Sequence, residues 1–331
     1  MRPVRAPGPA AAVPAALAAL VAALAGACCV SIPDDPTTVH DLRVLGISME
    51  PPELMAPVCP SLSGGQITIP EEDLATYAAQ VTLRALLVDP AGNGRPISYE
   101  LFACSSLGDR TCEKETETVL IASGQTTAGA FTHTFRPGTI LLPNGQPLLF
   151  QVLQNDTVYH GLGGIRVPLV LHVGAQGEEI FAQKIMLYSC QFFPDQQANV
   201  TPALPGMNMN GNPWPEEPEV LQLTGRGPFR TLPDDMAALQ EPYVVPSIPD
   251  QNGTVTRIDL VESWKLSWYT DYGTFSSATT GGTDASGRES RHNDEWRLPA
   301  NAEERDVTYW VVVRDGRGGL SWKTWRAHYT P

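Results

Sequence analysis

Residues 306–329 read DVTYWVVVRDGRGGLSWKTWRAHY. Two runs rich in β-branched and aromatic residues flank the turn Asp315-Gly316-Arg317-Gly318-Gly319. Side chains alternate along a strand, so Val307, Tyr309, Val311 and Val313 share one face. The pattern predicts a strong hairpin. A phosphate-loop reading of RDGRGG fails on context, because such a loop opens a helix whose first amides hold the anion, and this turn joins two strands.

The same alternation recurs upstream. In VTLRALLV, Val81, Leu83, Ala85 and Leu87 face one way and Thr82 and Arg84 the other, and DPAGNGRP supplies the following turn. In LRVLGISMEPPEL, Leu45, Ile47 and Met49 are expected to share a face until Pro51-Pro52 ends the strand. ISYELFAC, TETVLIAS, GAFTHTF, QPLLFQVL, GIRVPLVLHV and EIFAQKIMLYS continue the series. Thirty prolines and twenty-nine glycines supply the turns between them. The best short helix candidate, Glu71 to Ala79, is worth one or two turns. Many strands without alternating helices exclude a βαβ fold and predict an all-β protein of antiparallel sandwiches.

Residues 191–217 hold five prolines and little apolar period, which reads as a Pro-rich linker, or else as a loop laid across the first sandwich and pinned by Phe192, Phe193 and Trp214. A second strand series begins at EVLQLTG. In SWKLSWY, Trp264, Leu266 and Trp268 share a face. The expected organisation is a first β-sandwich over 41–190 and a second, immunoglobulin-like sandwich over 218–331.

The N-terminus has its own grammar. Arg2 and Arg5 precede the apolar run Ala10 to Leu24, and small residues precede Cys28. That order is a secretory signal over 1–27, too short and too interrupted by Pro14 for a spanning helix. Leu24-Ala25-Gly26-Ala27-Cys28 resembles the lipobox of bacterial lipoproteins, which makes Cys28 the lipidated residue and the protein's link to a membrane. Choosing Cys29 would put Gly26 where an apolar residue is usual, although parity of the remaining cysteines favours it. Residues 28–40 then form a polar tether.

Candidate chemistry is sparse. The formal charge of −14 argues against a nucleic-acid partner, since phosphate backbones would be repelled. The 42% hydrophobic content and modest charge argue against disorder. Cys104 and Cys112 bracket a short loop and are candidates for a local disulfide, and Cys59 could pair with Cys190. Cys and His spacing predicts no metal site, and no cofactor motif is present. The histidines His40, His133, His160, His172, His292 and His328 are isolated from one another in sequence. Loops around Asp250, Asn252, Asp284, Ser286 and Glu289 hold some calcium-type oxygens without the full spacing, and Asx turns are the commoner use. Trp310 and Trp325 are the candidates for ligand-facing aromatics, which makes carbohydrate a partner class to consider beside an envelope or surface protein.

DLRVLGISMEPPEL followed by VTLRALLVDPAGNGRPISYELFAC, and WKLSWYTDYGTF followed by YWVVVRDGRGGLSW, resemble the paired immunoglobulin-like domains of surface lipoproteins from high-GC Gram-negative bacteria. The likeness is one of strand grammar and spans most of the chain after the signal. It implies a protein of the cell outer membrane, periplasmic or surface-exposed, that is not an enzyme and acts as an interaction or structural module. Two competing expectations are a carbohydrate-binding module and an accessory subunit of an envelope assembly. No family catalytic residues exist to be carried over.

Overall fold

Alternating strands sort their side chains onto two faces, and burying one face of each against another sheet yields two sandwiches. The computed structural model describes residues 35–57, 61–63, 66–68, 74–157, 161, 163–216, 218–248, 250–251, 254–283 and 291–331. The first sandwich contains β1 (Arg43–Glu50), β2 (Glu53–Ala56), β3 (Ser61–Ser63), β4 (Gln66–Thr68), β5 (Val81–Val88), β6 (Ile97–Cys104), β7 (Thr118–Thr126), β8 (Gly129–Phe135), β9 (Ile165–Ala175) and β10 (Glu178–Cys190). One sheet has the order β1-β5-β8 and faces the other, β2-β10-β9-β6-β7. The second sandwich contains β11 (Met207–Met209), β12 (Asn212–Pro213), β13 (Leu221–Thr224), β14 (Phe229–Pro233), β15 (Pro242–Pro246), β16 (Arg257–Val261), β17 (Lys265–Thr270), β18 (Thr274–Phe275), β19 (Thr279–Gly281), β20 (Asp294–Arg297), β21 (Arg305–Arg314) and β22 (Leu320–Thr330). Its sheets run β12-β11-β14-β20-β18 and β13-β22-β21-β17-β19.

The two domains repeat one topology. In each, an initial strand lies beside the second long strand, and a short segment after proline crosses to the other sheet. There β2 runs parallel to β10, and β13 runs parallel to β22. All other pairings in the sandwiches are antiparallel. Proline suits that crossing because it cannot donate to a ladder. The two-sheet arrangement with facing apolar cores is the immunoglobulin-like sandwich. The first core gathers Leu83, Leu87, Leu101, Leu169 and Tyr188, and the second gathers Trp264, Trp268, Trp296, Tyr309 and Tyr329.

Several sequence expectations change. QPLLFQVL, read as a strand, is largely helical: α2 spans Leu148–Asn155 and buries Leu148, Leu149 and Val152 in the first core. Those positions suit a helix face, and a short apolar run does not distinguish helix from strand by period alone. The earlier candidate retains one short turn, α1, Leu74–Tyr77. Leu45 does not share a face with Ile47 and Met49, because the β1–β5 register shifts between Val44 and Gly46. The bulge turns Leu45 out of the first core.

What Leu45 meets is the second domain. Val39, Leu45, Leu86 and Val88 pack with Trp310, Val312 and Leu320 in one buried cluster. The outward face of β1 and β5 therefore lies on the outward face of β21 and β22, and residues 37–331 form one compact unit. This explains why RALLV and YWVVV lose their polar alternation: both faces are covered. The end of the 28–40 tether belongs to this body as well, since Thr38 bridges Thr270 of β17 and Val39 N–H donates to the Thr270 carbonyl at 2.8 Å.

Residues 191–217 do not behave as a free linker. Leu204, Met207, Met209 and Trp214 are buried in the second core, and β11 and β12 are strands of its sheet. The second sandwich therefore starts near residue 204, ahead of the expected 218. Asn199 is buried between the domains, joined to Glu53 of the first and Asp315 of the second, and Gln196 is buried in a local turn with Gln191 and Phe192. Trp214 is pinned by Trp325 and Tyr309, whereas Phe192 remains exposed.

Candidate functional site

The β21–β22 turn is organised by Asp315. Its Oδ1 accepts the backbone N–H groups of Arg317 (2.7 Å), Gly318 (3.0 Å) and Gly319 (2.9 Å). Its Oδ2 accepts the Asn199 side-chain amide at 2.7 Å. At Gly319 a Cβ would lie 2.1 Å from the Asp315 carboxylate and 2.7 Å from Pro202, so the turn closes only with glycine. The turn reading of RDGRGG holds, and what the motif does is present Arg317 and a carbonyl to the first domain and the connecting segment.

Arg317 projects from that turn into a cluster of carboxylates. Its guanidinium lies 3.3 Å from Glu262, 3.5 Å from Glu53 of β2 and 4.0 Å from Glu241, and donates to the Gln197 carbonyl at 3.3 Å. The same group lies over the Tyr243 ring, 4.4 Å from its centre. Glu53 also accepts the Ser189 hydroxyl and the Asn199 N–H, the latter at 2.6 Å. Glu262 accepts the Trp264 indole N–H at 2.8 Å and the Glu241 N–H at 3.2 Å. One cation thus faces three carboxylates, two of them buried. Burial, reinforced by the Glu262 charge, raises the Glu241 carboxyl above its ordinary range. Burial likewise raises the Tyr243 hydroxyl.

Beside this cluster opens a cavity of about 430 Å³ between residues 195–198 and the β15–β16 hairpin. Asp195, Glu241, Tyr243, Arg257, Leu260 and Arg317 are among its lining residues. Arg257 pairs with Asp195 and Asp259, so both guanidinium groups in the wall are already occupied by carboxylates. A second cleft, about 330 Å³, lies between the domains and is lined by Lys184 and Arg314. Lys184 of β10 donates to the Gly318 carbonyl. Desolvation, with Arg314 nearby, lowers its pKa to about 8 although Asp315 opposes the shift. Among the described residues no group of three or more His, Cys, Asp or Glu side chains is placed to hold a metal.

The sequence-predicted residues fall elsewhere. Cys104 and Cys112 form a disulfide, S–S 2.08 Å, and pack on Val170 outside the first core. Cys190 is also disulfide-bonded; Cys59, its expected partner, lies outside the described residues, as do Cys28 and Cys29. Trp310 and Trp325 are not ligand-facing. Trp310 is 8% exposed beneath the first domain, and Trp325 is 3% exposed in the second core, paired across the ladder with Tyr309. Alternation did place them on different faces, but both faces are covered. Of the oxygens in the calcium-like loops, Asp250 accepts the Thr254 N–H at 2.7 Å, a local turn bond; Asn252, Asp284, Ser286 and Glu289 lie outside the described residues. His172 is not alone in space: it lies 3.2 Å from Glu100 and stacks on Phe181 at 4.3 Å. Sequence reading missed the Arg317 cluster because its carboxylates come from positions as far apart as 53 and 262, and the one legible signal was an acid opening a glycine-rich turn.

The topology and this interdomain site define the molecule as a tandem immunoglobulin-like β-sandwich protein whose two domains share a polar hub. No protein-family model matches the chain, and no characterised protein matches it in sequence. Among solved structures it is similar to Escherichia coli alpha-2-macroglobulin activated by porcine elastase, at 8% identity and TM-score 0.26 over 89% of this chain and 22% of that one. It is similar to red sea bream transglutaminase at 10% identity and TM-score 0.22, over 88% of this chain and 32% of that one. A bacterial ice-binding adhesin is similar at 10% identity and TM-score 0.20, over 88% of this chain and 98% of that one. The chain spans under a third of the length of the first two, and the fold assignment stands on topology.

Proposed function

We propose that the protein is a lipid-anchored module of the cell envelope, held to the outer membrane through Cys28 and engaging a protein partner without catalysing a reaction. The observation that carries the partner reading is the β15–β16 hairpin. Every residue of β16 is exposed, with Ile258 at 41%, Leu260 at 40% and Val261 at 64%, and Ile248 beyond β15 is 82% exposed. Ile258 and Leu260 share one face of β16, and exposed aliphatic surface of this kind supports a contact site, since a two-stranded hairpin gains little from leaving such residues in water. The anchor rests on the Leu24 to Cys28 lipobox pattern, with a tether that ends by docking on the second domain. Carbohydrate recognition loses the two tryptophans that favoured it.

Two variants test the reading separately. Cys28→Ser should move the protein from the membrane to the soluble fraction; full membrane retention overturns the anchor. Ile258→Lys with Leu260→Lys, at exposed positions, should leave thermal unfolding unchanged and remove the protein's cross-linked products on intact cells. Identical cross-linked products in the variant would overturn the hairpin as the contact.

A further inference from the structure

A cation taken partly out of water is costly unless a carboxylate answers it. Two half-buried cations of this chain meet that condition: Arg95 pairs with Asp89 and Glu178, and Arg317 with Glu53 and Glu262. Two others do not, although the formal charge of −14 leaves carboxylates in excess. They are Lys184 of β10 and Arg314 of β21, both half-buried. Neither forms an ion pair with a described carboxylate. Lys184 donates to the Gly318 carbonyl, and Arg314 donates to the Ser267 hydroxyl at 2.8 Å and the Leu45 carbonyl at 3.1 Å. An ammonium has three donors and a guanidinium five, so each keeps N–H groups that no described residue accepts.

Both side chains line the interdomain cleft of about 330 Å³, and no Asp or Glu is among its lining residues. Gly316 and Gly318 contribute wall without side chains, and Val44, Leu45, Ile47 and Leu320 supply aliphatic surface. The carboxylate that acts on Lys184 is Asp315, whose oxygens are taken by the amides of its own turn and by Asn199. Arg314 acts on Lys184 in the opposite sense, as a like charge. An anion seated between the two cations offsets both the desolvation and the repulsion. A guanidinium fork matches the two oxygens of a carboxylate, and the volume lies at the lower end of small-ligand sites.

We infer that this cleft is a binding site for a small organic carboxylate, its charged end held by Lys184 and Arg314 and its aliphatic body laid on Val44, Leu45, Ile47 and Leu320. One cation comes from each domain, so a bound carboxylate ties the two together.

The test uses the full chain with hexanoate as the probe. The chain has four lysines, so isotope labelling of lysine side chains lets NMR follow Lys184, identified as the signal lost in Lys184→Arg. In the parent chain hexanoate should shift that signal saturably and move its titration midpoint from about 8 toward the ordinary lysine value of 10.5. 1-Hexanol, which has the body without the charge, should leave both unmoved. Inorganic phosphate, which has the charge without the body, should need at least tenfold higher concentration. Arg314→Gln should weaken hexanoate at least tenfold, with thermal unfolding reporting that the variant is folded; the parent-chain titration decides alone if it is not. A Lys184 signal that hexanoate leaves unmoved, or moves without saturation, overturns the proposal. So does a response to hexanol or phosphate equal to that of hexanoate, or full affinity in a folded Arg314→Gln chain.

Discussion

Replacing Asp315 by alanine should be among the most damaging single changes outside the apolar cores. Asp315 is 2% exposed and accepts four hydrogen bonds, three from turn amides and one from Asn199. A hydrogen bond to a charged group contributes about 1.5–3 kcal/mol net, and a buried donor left unmet costs about 1–3 kcal/mol. The Arg317 and Gly318 amides are only partly buried, so water recovers part of their loss. The Gly319 amide and the Asn199 side chain are buried and do not rehydrate easily. The expected destabilisation is therefore about 3–5 kcal/mol, a large share of the roughly 5–15 kcal/mol that holds a typical domain folded.

Asp315→Asn separates hydrogen bonding from packing. The asparagine keeps one acceptor oxygen for the turn amides, and its new donor would oppose the Asn199 donor. Asn199 Oδ1 has no hydrogen-bond partner among the described residues, so turning that amide over restores the pair. The cost should fall to about 1 kcal/mol. Urea unfolding of the two variants against the parent chain gives both values, provided the slope is unchanged. An alanine variant within 1 kcal/mol of the parent, or an asparagine variant as unstable as alanine, would refute the assignment of Asp315 as the turn's organiser.

Lys184 gives the chain a distinctive alkaline limb. Its folded pKa of about 8 lies below the ordinary lysine value of 10.5, so the unfolded chain binds the extra proton between these values and stability rises with pH across that window. The gain is on the order of 2–3 kcal/mol before Tyr188 and Tyr309, both raised by burial, reverse the trend above pH 10. Unfolding titrations of Lys184→Met should lack the rise, and a parent-like rise would refute it. Trp296→Ala should cost about 3–5 kcal/mol by thermal or urea unfolding, because the ring is fully buried and its N–H donates to the Tyr272 carbonyl at 2.8 Å. Gly46→Ala should cost about 1–3 kcal/mol, since the new Cβ would meet Leu320 of the other domain at 3.0 Å, and Leu320→Ala in the same chain should recover part of that loss.

Which faces exist was legible; what covers them was not. Val81, Leu83, Ala85 and Leu87 fell on one face as alternation required, and all four lie in the first core. Trp264, Leu266 and Trp268 behave the same way in the second. The failures have separate causes. Trp310 points away from its own core, which in an isolated domain means solvent, and the first domain takes that place. Leu45 was misassigned because a one-residue bulge inverts the face without leaving a mark in composition. The 191–217 segment looked like a linker because proline removes ladder hydrogen bonds, yet it can still bury Leu204, Met207 and Trp214.

The hub at Asp315 and Arg317 explains why the domains meet in one register. The apolar contact of Leu45, Leu86, Val312 and Leu320 is non-directional, and apolar faces alone tolerate sliding. Glu53, Asn199, Asp315 and Arg317 do not, because each buried partner left unmet by a shift carries a desolvation cost. Lys184 to the Gly318 carbonyl and Arg314 to the Leu45 carbonyl add two cross-domain donors with the same requirement. The tandem therefore behaves as one body, and Glu53→Ala, which strands the Asn199 amide and removes a partner from Arg317, should loosen the interface more than Leu45→Ala. Limited proteolysis within 191–203 is the measurement. Faster cleavage in Glu53→Ala than in Leu45→Ala is the expected order, and the reverse order would show that apolar burial alone sets the domain contact.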